Sequence, residues 1–118
     1  HDLKYIKGKH QVPLDRYEQN LGTLLSRLKK TGAKVIWCST TPVPEGVSPR
    51  RKDSDVLEYN TVAEKLAASR GLLHNDLYKF ALPRLKKIQR PRNVHFSQEG
   101  SRVLAGQVAA SVRAALKR

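Results

Sequence analysis

Arg90-Pro91-Arg92-Asn93-Val94-His95-Phe96-Ser97-Gln98-Glu99-Gly100-Ser101 carries the densest set of local signals in the chain. A proline-containing loop brings one histidine to the start of a helix, with Ser97 in place as its N-cap and Glu99 favoured in the first turn by the macrodipole. From about Gln98 to Leu116, the residues Leu104, Val108, Val112 and Leu116 recur at every fourth position, beside Val103, Ala105, Ala109 and Ala115. That apolar, alanine-rich face suits close packing on a sheet. His95 therefore sits on a loop held by a rigid element, where catalytic residues concentrate. Free imidazole titrates near ~6.5, which suits general-base work at neutral pH. Spacing alone would equally fit a capping or surface histidine.

Upstream of this stretch the chain alternates helix and strand. Val12 to Lys30 reads as a helix: Pro13 fits its first turn, Tyr17, Leu21, Leu24, Leu25 and Leu28 form one apolar stripe, and Thr31-Gly32 stops it. Ala33-Lys34-Val35-Ile36-Trp37-Cys38-Ser39 is β-branched and aromatic without alternation, as in a strand buried on both faces of a parallel sheet. The segment Thr40-Thr41-Pro42-Val43-Pro44-Glu45-Gly46 leaves the carboxyl end of that strand, where ligands bind in open α/β sheets. The polar loop through Ser48-Pro49-Arg50-Arg51-Lys52 reads as a solvated connection able to border a cleft.

A second helix, capped by Asp53 or Ser54, carries Val56, Tyr59, Ala63, Leu66 and Ala67 on one face and ends at Arg70-Gly71. Leu72-Leu73-His74-Asn75 is a short strand, and His74 reads as structural. Asp76-Leu77-Tyr78 opens a short helix that Pro83 interrupts or restarts. His1-Asp2-Leu3-Lys4-Tyr5 has no periodicity, reads on its own as a frayed terminus, and leads into a turn at Lys7-Gly8-Lys9. Two strands cannot make a sheet that covers these helices. The order of elements is that of the C-terminal half of a flavodoxin-like three-layer α/β/α sandwich with a parallel sheet. All 118 residues belong to that one domain, with no linker, repeat or low-complexity tract. Such a half would expose the apolar faces of its main helices, so we expect it to need the missing N-terminal segment or self-association.

Asn93-Val94-His95-Phe96-Ser97-Gln98-Glu99-Gly100-Ser101-Arg102-Val103-Leu104-Ala105 resembles the last sequence block of the SGNH (GDSL-type) serine hydrolases, in which the catalytic histidine precedes a Glu-Gly helix start and a final amphipathic helix. The strand followed by Thr41-Pro42 and the Tyr59-Asn60 pair resemble the same family in the same order. The resemblance implies an ester hydrolase with His95 as general base. It further places His1 at the family's oxyanion-donating Asn and Asp2 at the Asp that follows it; an imidazole N–H can also donate to developing negative charge. The blocks holding the nucleophile Ser and the oxyanion Gly are absent, and none of the serines 26, 39, 48, 54, 69, 97, 101 and 111 has a nucleophile-type context. Arg92 stands where the family carries the Asp that orients the imidazole. A backbone carbonyl or another carboxylate, Asp76 or Glu99 among them, would have to support His95, or the pair works without a third member. The implied substrate is a carboxylic ester, with acetylated carbohydrate and lipid-like esters both open.

Composition limits the alternatives. A chain of 118 residues can build one modest core, burying about 65% of its unfolded surface. No apolar run approaches the ~20 residues of a membrane span. The chain starts at His1 and contains no methionine, from which we expect a fragment or a processed product. Cys38, the single cysteine, excludes an internal disulfide, reads as a core thiol, and leaves the compartment open. No metal or other cofactor is expected: His1, His10, His74 and His95 lack ligand spacing and Cys38 is isolated. The 23 Lys and Arg against 10 Asp and Glu give a net charge of +13, which favours an anionic partner. These cations fall at helix ends and loops, as in Lys29, Lys30, Lys117 and Arg118, without a nucleic-acid motif or interleaved aromatics. A basic nucleic-acid-binding module thus ranks below the ester hydrolase, and below an inactive SGNH-like domain kept for binding, which Arg92 and His1 would suit.

Overall fold

The computed structural model describes residues 1–117; Arg118, read above as a last-turn cation, lies outside the described residues. Its centre is a β-α-β unit. Strand β3 (Ile36–Cys38) runs parallel to β4 (Leu73–Asn75), with Ile36 opposite Leu73, Trp37 opposite His74 and Cys38 opposite Asn75. Helix α2 (Asp53–Ser69) is the crossover that a parallel pair requires. β3 is shorter than the expected 33–39 run, because a ladder extends only as far as its partner and β4 supplies three residues.

Helices cover both faces of the pair. Trp37 points to α2, where it packs with Ala63 and Ala67 and against Tyr17 and Leu21 of helix α1 (Leu14–Lys29). The alternate residues Ile36 and Leu73 face helix α5 (Gln98–Leu116) across a cavity that Ser111, Ala114 and Ala115 also line. The expected α1 stripe divides: Tyr17, Leu21 and Leu25 turn inward, whereas Leu24 and Leu28 are 55% and 46% exposed. Val112 and Leu116 of α5 are uncovered as well, at 42% and 73%. Pro13 precedes α1 as its N-cap rather than opening its first turn. Cys38 is only partly buried, and burial raises its thiol pKa, with the neighbouring Asn75 amide opposing that rise.

The N-terminus is not frayed. Strands β1 (Tyr5–Ile6) and β2 (Lys9–His10) form an antiparallel hairpin whose two turn residues, Lys7 and Gly8, both have positive φ (49° and 79°), the conformation that matches strand twist in a two-residue loop. The Asp55 carboxylate holds this hairpin on α2, accepting from Tyr5 Oη at 3.1 Å and meeting His10 Nε2 at 2.9 Å. Leu3, just before it, is buried with Val43, Val47, Val56 and Tyr59. One end of the sequence thereby joins the core that carries the β3 exit loop.

The segment after β4 is helix α3 (Leu77–Ala81), a 3-10 turn containing Pro83, and helix α4 (Leu85–Ile88). Proline breaks the helix there because it clashes with the preceding turn and has no N–H to donate. Helix α5 then starts in close contact with α4. Ser97 caps it by accepting from the Gly100 N–H at 3.0 Å, and the Ile88 carbonyl accepts from both Ser97 N (2.9 Å) and Ser97 Oγ (3.2 Å). A Cβ on Gly100 would lie 2.1 Å from that carbonyl oxygen. Only glycine allows this approach, which fixes the direction in which the preceding loop leaves.

Candidate active site

The β3 exit loop and the loop before α5 are stitched together by side chains whose partners are backbone atoms. Asn60 reads Thr40 from both sides, accepting from its N–H and donating to its carbonyl, each at 2.8 Å. Asp53, expected as a helix cap, instead accepts from the Val43 N–H at 2.8 Å and the Tyr78 hydroxyl at 2.6 Å. The N-cap position of α2 falls to Lys52, which makes no side-chain capping bond. Gln89, 9% exposed, donates to the Pro42 carbonyl at 2.9 Å. The same residue forms an isolated antiparallel bridge with Phe96, beside which the Arg90 N–H donates to the His95 carbonyl at 3.1 Å. Gln89 thus spans the two loops.

Between them lies a cavity of about 190 Å³. His1 and Leu3 line it from the N-terminus, Thr40 to Val43 from the β3 exit, Val94 and His95 from the other loop, and Arg51 from the long connection to α2. The two imidazoles singled out in the sequence, some 94 positions apart, therefore share one concavity. A wider groove of about 600 Å³ between α1 and α2 is lined by polar and charged residues such as Glu18, Arg27 and Arg70 and contains no histidine. Of these two, the smaller is the one lined by imidazoles.

His95 is held by Asn93. The Asn93 side-chain oxygen accepts from the His95 backbone N–H at 2.9 Å and contacts Nδ1 of its ring at 2.7 Å. A backbone N–H can only donate, so the atom facing it is the amide oxygen, and the ring nitrogen bonded to that same oxygen carries a proton. In the neutral ring the lone pair is then on Nε2. Arg92, at the expected position of an acid, takes a positive φ of 52° and lays its side chain over Gly46, where its Nε would be 3.1 Å from an added Cβ.

The other sequence candidates are placed as follows. Asp76 caps α3 by accepting from the Lys79 N–H at 2.9 Å and also takes the Ser39 hydroxyl at 3.1 Å. Glu99 pairs with Arg102 at 3.6 Å. Neither carboxylate bonds His95, and the Nδ1 partner is a carboxamide, not the carboxylate or backbone carbonyl anticipated. Asp2 is not part of the cavity lining: its carbonyl accepts from the Val12 N–H, and its charge falls on Tyr17 and Tyr59. Burial first, then the Asp55, Glu58, Asp2 and Tyr5 charges, pushes the Tyr59 hydroxyl from 10.0 to about 12. Tyr59 donates to the Val12 carbonyl at 2.8 Å. His74 stacks on Trp37 at 4.8 Å, 3.5 Å from Glu64, away from the cavity. Among the described residues no group of three His, Cys, Asp or Glu side chains is placed to hold a metal ion, and no helix is long and apolar enough to cross a membrane.

Two residues of the site were not marked as functional by the sequence. Asn93 carries a readable signal, since Asn accepting from the N–H two residues on is a local turn motif. Arg51 carries none.

The chain is similar in structure to an acetyl xylan esterase, AlAXEase (TM-score 0.75, 24% identity, 90% of this chain and 58% of that one). It is also similar to a lipase/acylhydrolase from Enterococcus faecalis (TM-score 0.81, 23% identity, 96% and 56%). A third match is the esterase domain of the ORF1 protein of the zebrafish ZfL2-1 retrotransposon (TM-score 0.69, 19% identity, 91% and 62%). At these identities the likeness is one of fold, and the chain spans 56–62% of the length of these structures. No family model and no curated protein matches it.

Proposed function

We propose that the chain is the C-terminal part of an SGNH-type serine ester hydrolase domain, completing a flavodoxin-like three-layer sandwich, with His95 as its general base. The observation that carries this reading is the shared cavity: His1 and His95 line it together, and Asn93 fixes the His95 ring with Nε2 free. The fold likeness to solved esterases supports it.

The chemistry follows from the ring's orientation. A serine supplied from outside these 118 residues attacks the ester carbonyl while Nε2 of His95 takes its proton. Asn93, still accepting from Nδ1, steadies the imidazolium by a hydrogen bond without a full charge. The carbonyl oxygen gains negative charge, and a ring N–H of His1 donates to it in the role the family gives to Asn. Collapse expels the alcohol, which leaves with the proton from Nε2. Water then repeats the sequence on the acyl-serine, releasing the acid. Acetylated carbohydrate and other small acyl esters are the substrates proposed.

The test uses the longest reading frame that contains this chain, treated with a fluorophosphonate probe and read by intact mass. One adduct per protein, lost in His95→Ala, is expected; the 118-residue chain alone should take no adduct and turn over no ester. A folded full-length protein without an adduct would overturn the hydrolase reading in favour of an inactive domain retained for binding.

A further inference from the structure

Three consecutive cations, Arg50, Arg51 and Lys52, precede α2, and of the three only Arg51 lines the cavity of His1 and His95. Lys52, the residue before α2, is extended, at φ −121° and ψ 140°. Arg50 and Lys52 both lie over the Tyr5 ring, 5.7 and 5.4 Å from its centroid. Arg51 instead lines the cavity of His1 and His95. It is half-buried, its Nη1 donates to the Pro49 carbonyl at 3.0 Å, and among the described residues no carboxylate lies within ion-pair distance of it.

Arg51 also borders the adjoining cavity of about 470 Å³, which Arg50 and Lys52 line too. Two carboxylates lie there. Glu45 and Asp53, the latter bonded by the Val43 N–H and the Tyr78 hydroxyl, face the three cations Arg50, Arg51 and Lys52. The balance beside the imidazoles is therefore positive. A guanidinium anchored by one bond to backbone, lining a concavity and with no carboxylate within ion-pair distance, is arranged for an anionic ligand group.

We propose that Arg51 is a specificity residue of this site, binding a carboxylate carried by the ester substrate. The inference rests on the hydrolase reading for the word substrate, and on geometry alone for the anion. It also gives part of the +13 charge a task at the cavity.

Matched esters test it on the full-length protein. Methyl 4-acetoxybenzoate and 4-acetoxybenzoate differ by one charge on the alcohol side; 4-nitrophenyl pentanoate and mono-4-nitrophenyl glutarate differ by one on the acyl side. One charged ester should show a KM roughly tenfold to a hundredfold below its neutral partner, as a charge-assisted bond would give. Arg51→Gln should erase that ratio, Arg51→Lys should restore part of it, and salt should shrink it. The pair that responds tells which side of the ester carries the anion. Equal KM values within both pairs, or a preference unchanged in Arg51→Gln, would overturn the proposal while neutral turnover leaves the hydrolase reading standing. Without turnover of any ester, benzoate titration followed through the Val94 and His95 amide resonances decides the anion contact separately: shifts in the parent that vanish in Arg51→Gln support it, and no shifts refute it.

Discussion

Replacing Asn93 tests how His95, the proposed base, is held. Its side-chain oxygen accepts two bonds, 2.9 Å from the His95 backbone N–H and 2.7 Å from Nδ1. Net hydrogen bonds contribute about 0.5–1.5 kcal/mol each. Both are at an exposed residue, so Asn93→Ala should cost about 1 kcal/mol of stability, a fall in Tm of about 3–6 °C. The catalytic loss should be larger, because the freed ring can turn and move its proton to Nε2, the atom that must accept. If 1–3 kcal/mol of transition-state positioning disappears, kcat/KM falls about fivefold to a hundredfold.

Asn93→Asp separates positioning from folding. The carboxylate keeps the acceptor but adds a charge beside the ring, which favours the imidazolium. The base form is then available only at higher pH, so the acid limb of kcat/KM should move up by about one unit, with a plateau at or above the parent's. The assay is ester hydrolysis by the longest reading frame containing this chain, profiled from pH 5 to 9. Ring nitrogen shifts by multiple-bond NMR on the chain itself should show Nδ1 protonated in the parent and a mixed tautomer in Asn93→Ala. Unchanged kcat/KM in Asn93→Ala while His95→Ala is inactive would refute the positioning role, as would an acid limb that does not move in Asn93→Asp.

Other perturbations address the scaffold. Gly100→Ala puts a Cβ 2.1 Å from the Ile88 oxygen and 2.8 Å from its carbon, so α5 must lift off α4 and lose the Ser97 bonds; we expect a loss of about 2–3 kcal/mol or more by denaturant titration, and a cost near zero would show that the contact is not made. Gln89→Leu strips the Pro42 carbonyl of its donor and should destabilise by about 1–3 kcal/mol, with a further fall in ester turnover as the two loops part. Burial, followed by the Asp53 hydrogen bond and charge, raises Tyr78 to about 12, as burial and neighbouring charge do Tyr59. A hydroxyl whose folded pKa is raised stabilises fully below its unfolded value and loses that contribution as pH climbs. Stability should therefore drop between pH 10 and about 12, and Tyr59→Phe or Tyr78→Phe should flatten the drop at the expense of one hydroxyl bond at neutral pH.

Much of the scaffold is legible because its causes are local. The α1 and α5 stripes, the Gly32 stop with its φ of 75°, the Ser97 cap and the break at Pro83 each depend on residues within a turn of one another. The illegible parts are those decided by distant partners. Nothing in Ala33 to Ser39 says that only three residues would pair, because that is set by β4. Nothing in Asp53 favours a bond to Val43 over a helix cap; both satisfy an acidic acceptor, and the loop it meets is ten residues earlier. The first five residues lack periodicity, yet Asp55 and the core around Leu3 hold them, fifty positions away in sequence for Tyr5.

The same distinction runs through the site itself. His95, Asn93, Ser97 and Gly100 occupy eight consecutive positions and explain one another: the glycine allows the close approach, the cap starts the helix, and the asparagine aims the ring. The resemblance implies an acid at the position of Arg92, while the amide oxygen one residue further on bonds both the backbone N–H and the ring Nδ1 of His95. The cavity wall opposite the ring comes from His1, the Thr40 to Val43 turn and Arg51, three segments with no sequence relation to the motif. Their arrival depends on Asn60, Asp53 and Gln89, whose amides and carboxylate read backbone atoms and leave no pattern of apolar spacing. A motif can therefore name the proposed base, but the group proposed to select a substrate is set by tertiary contacts, and Arg51 is distinguished from Arg50 and Lys52 by lining the cavity of His1 and His95 while the other two lie over the Tyr5 ring.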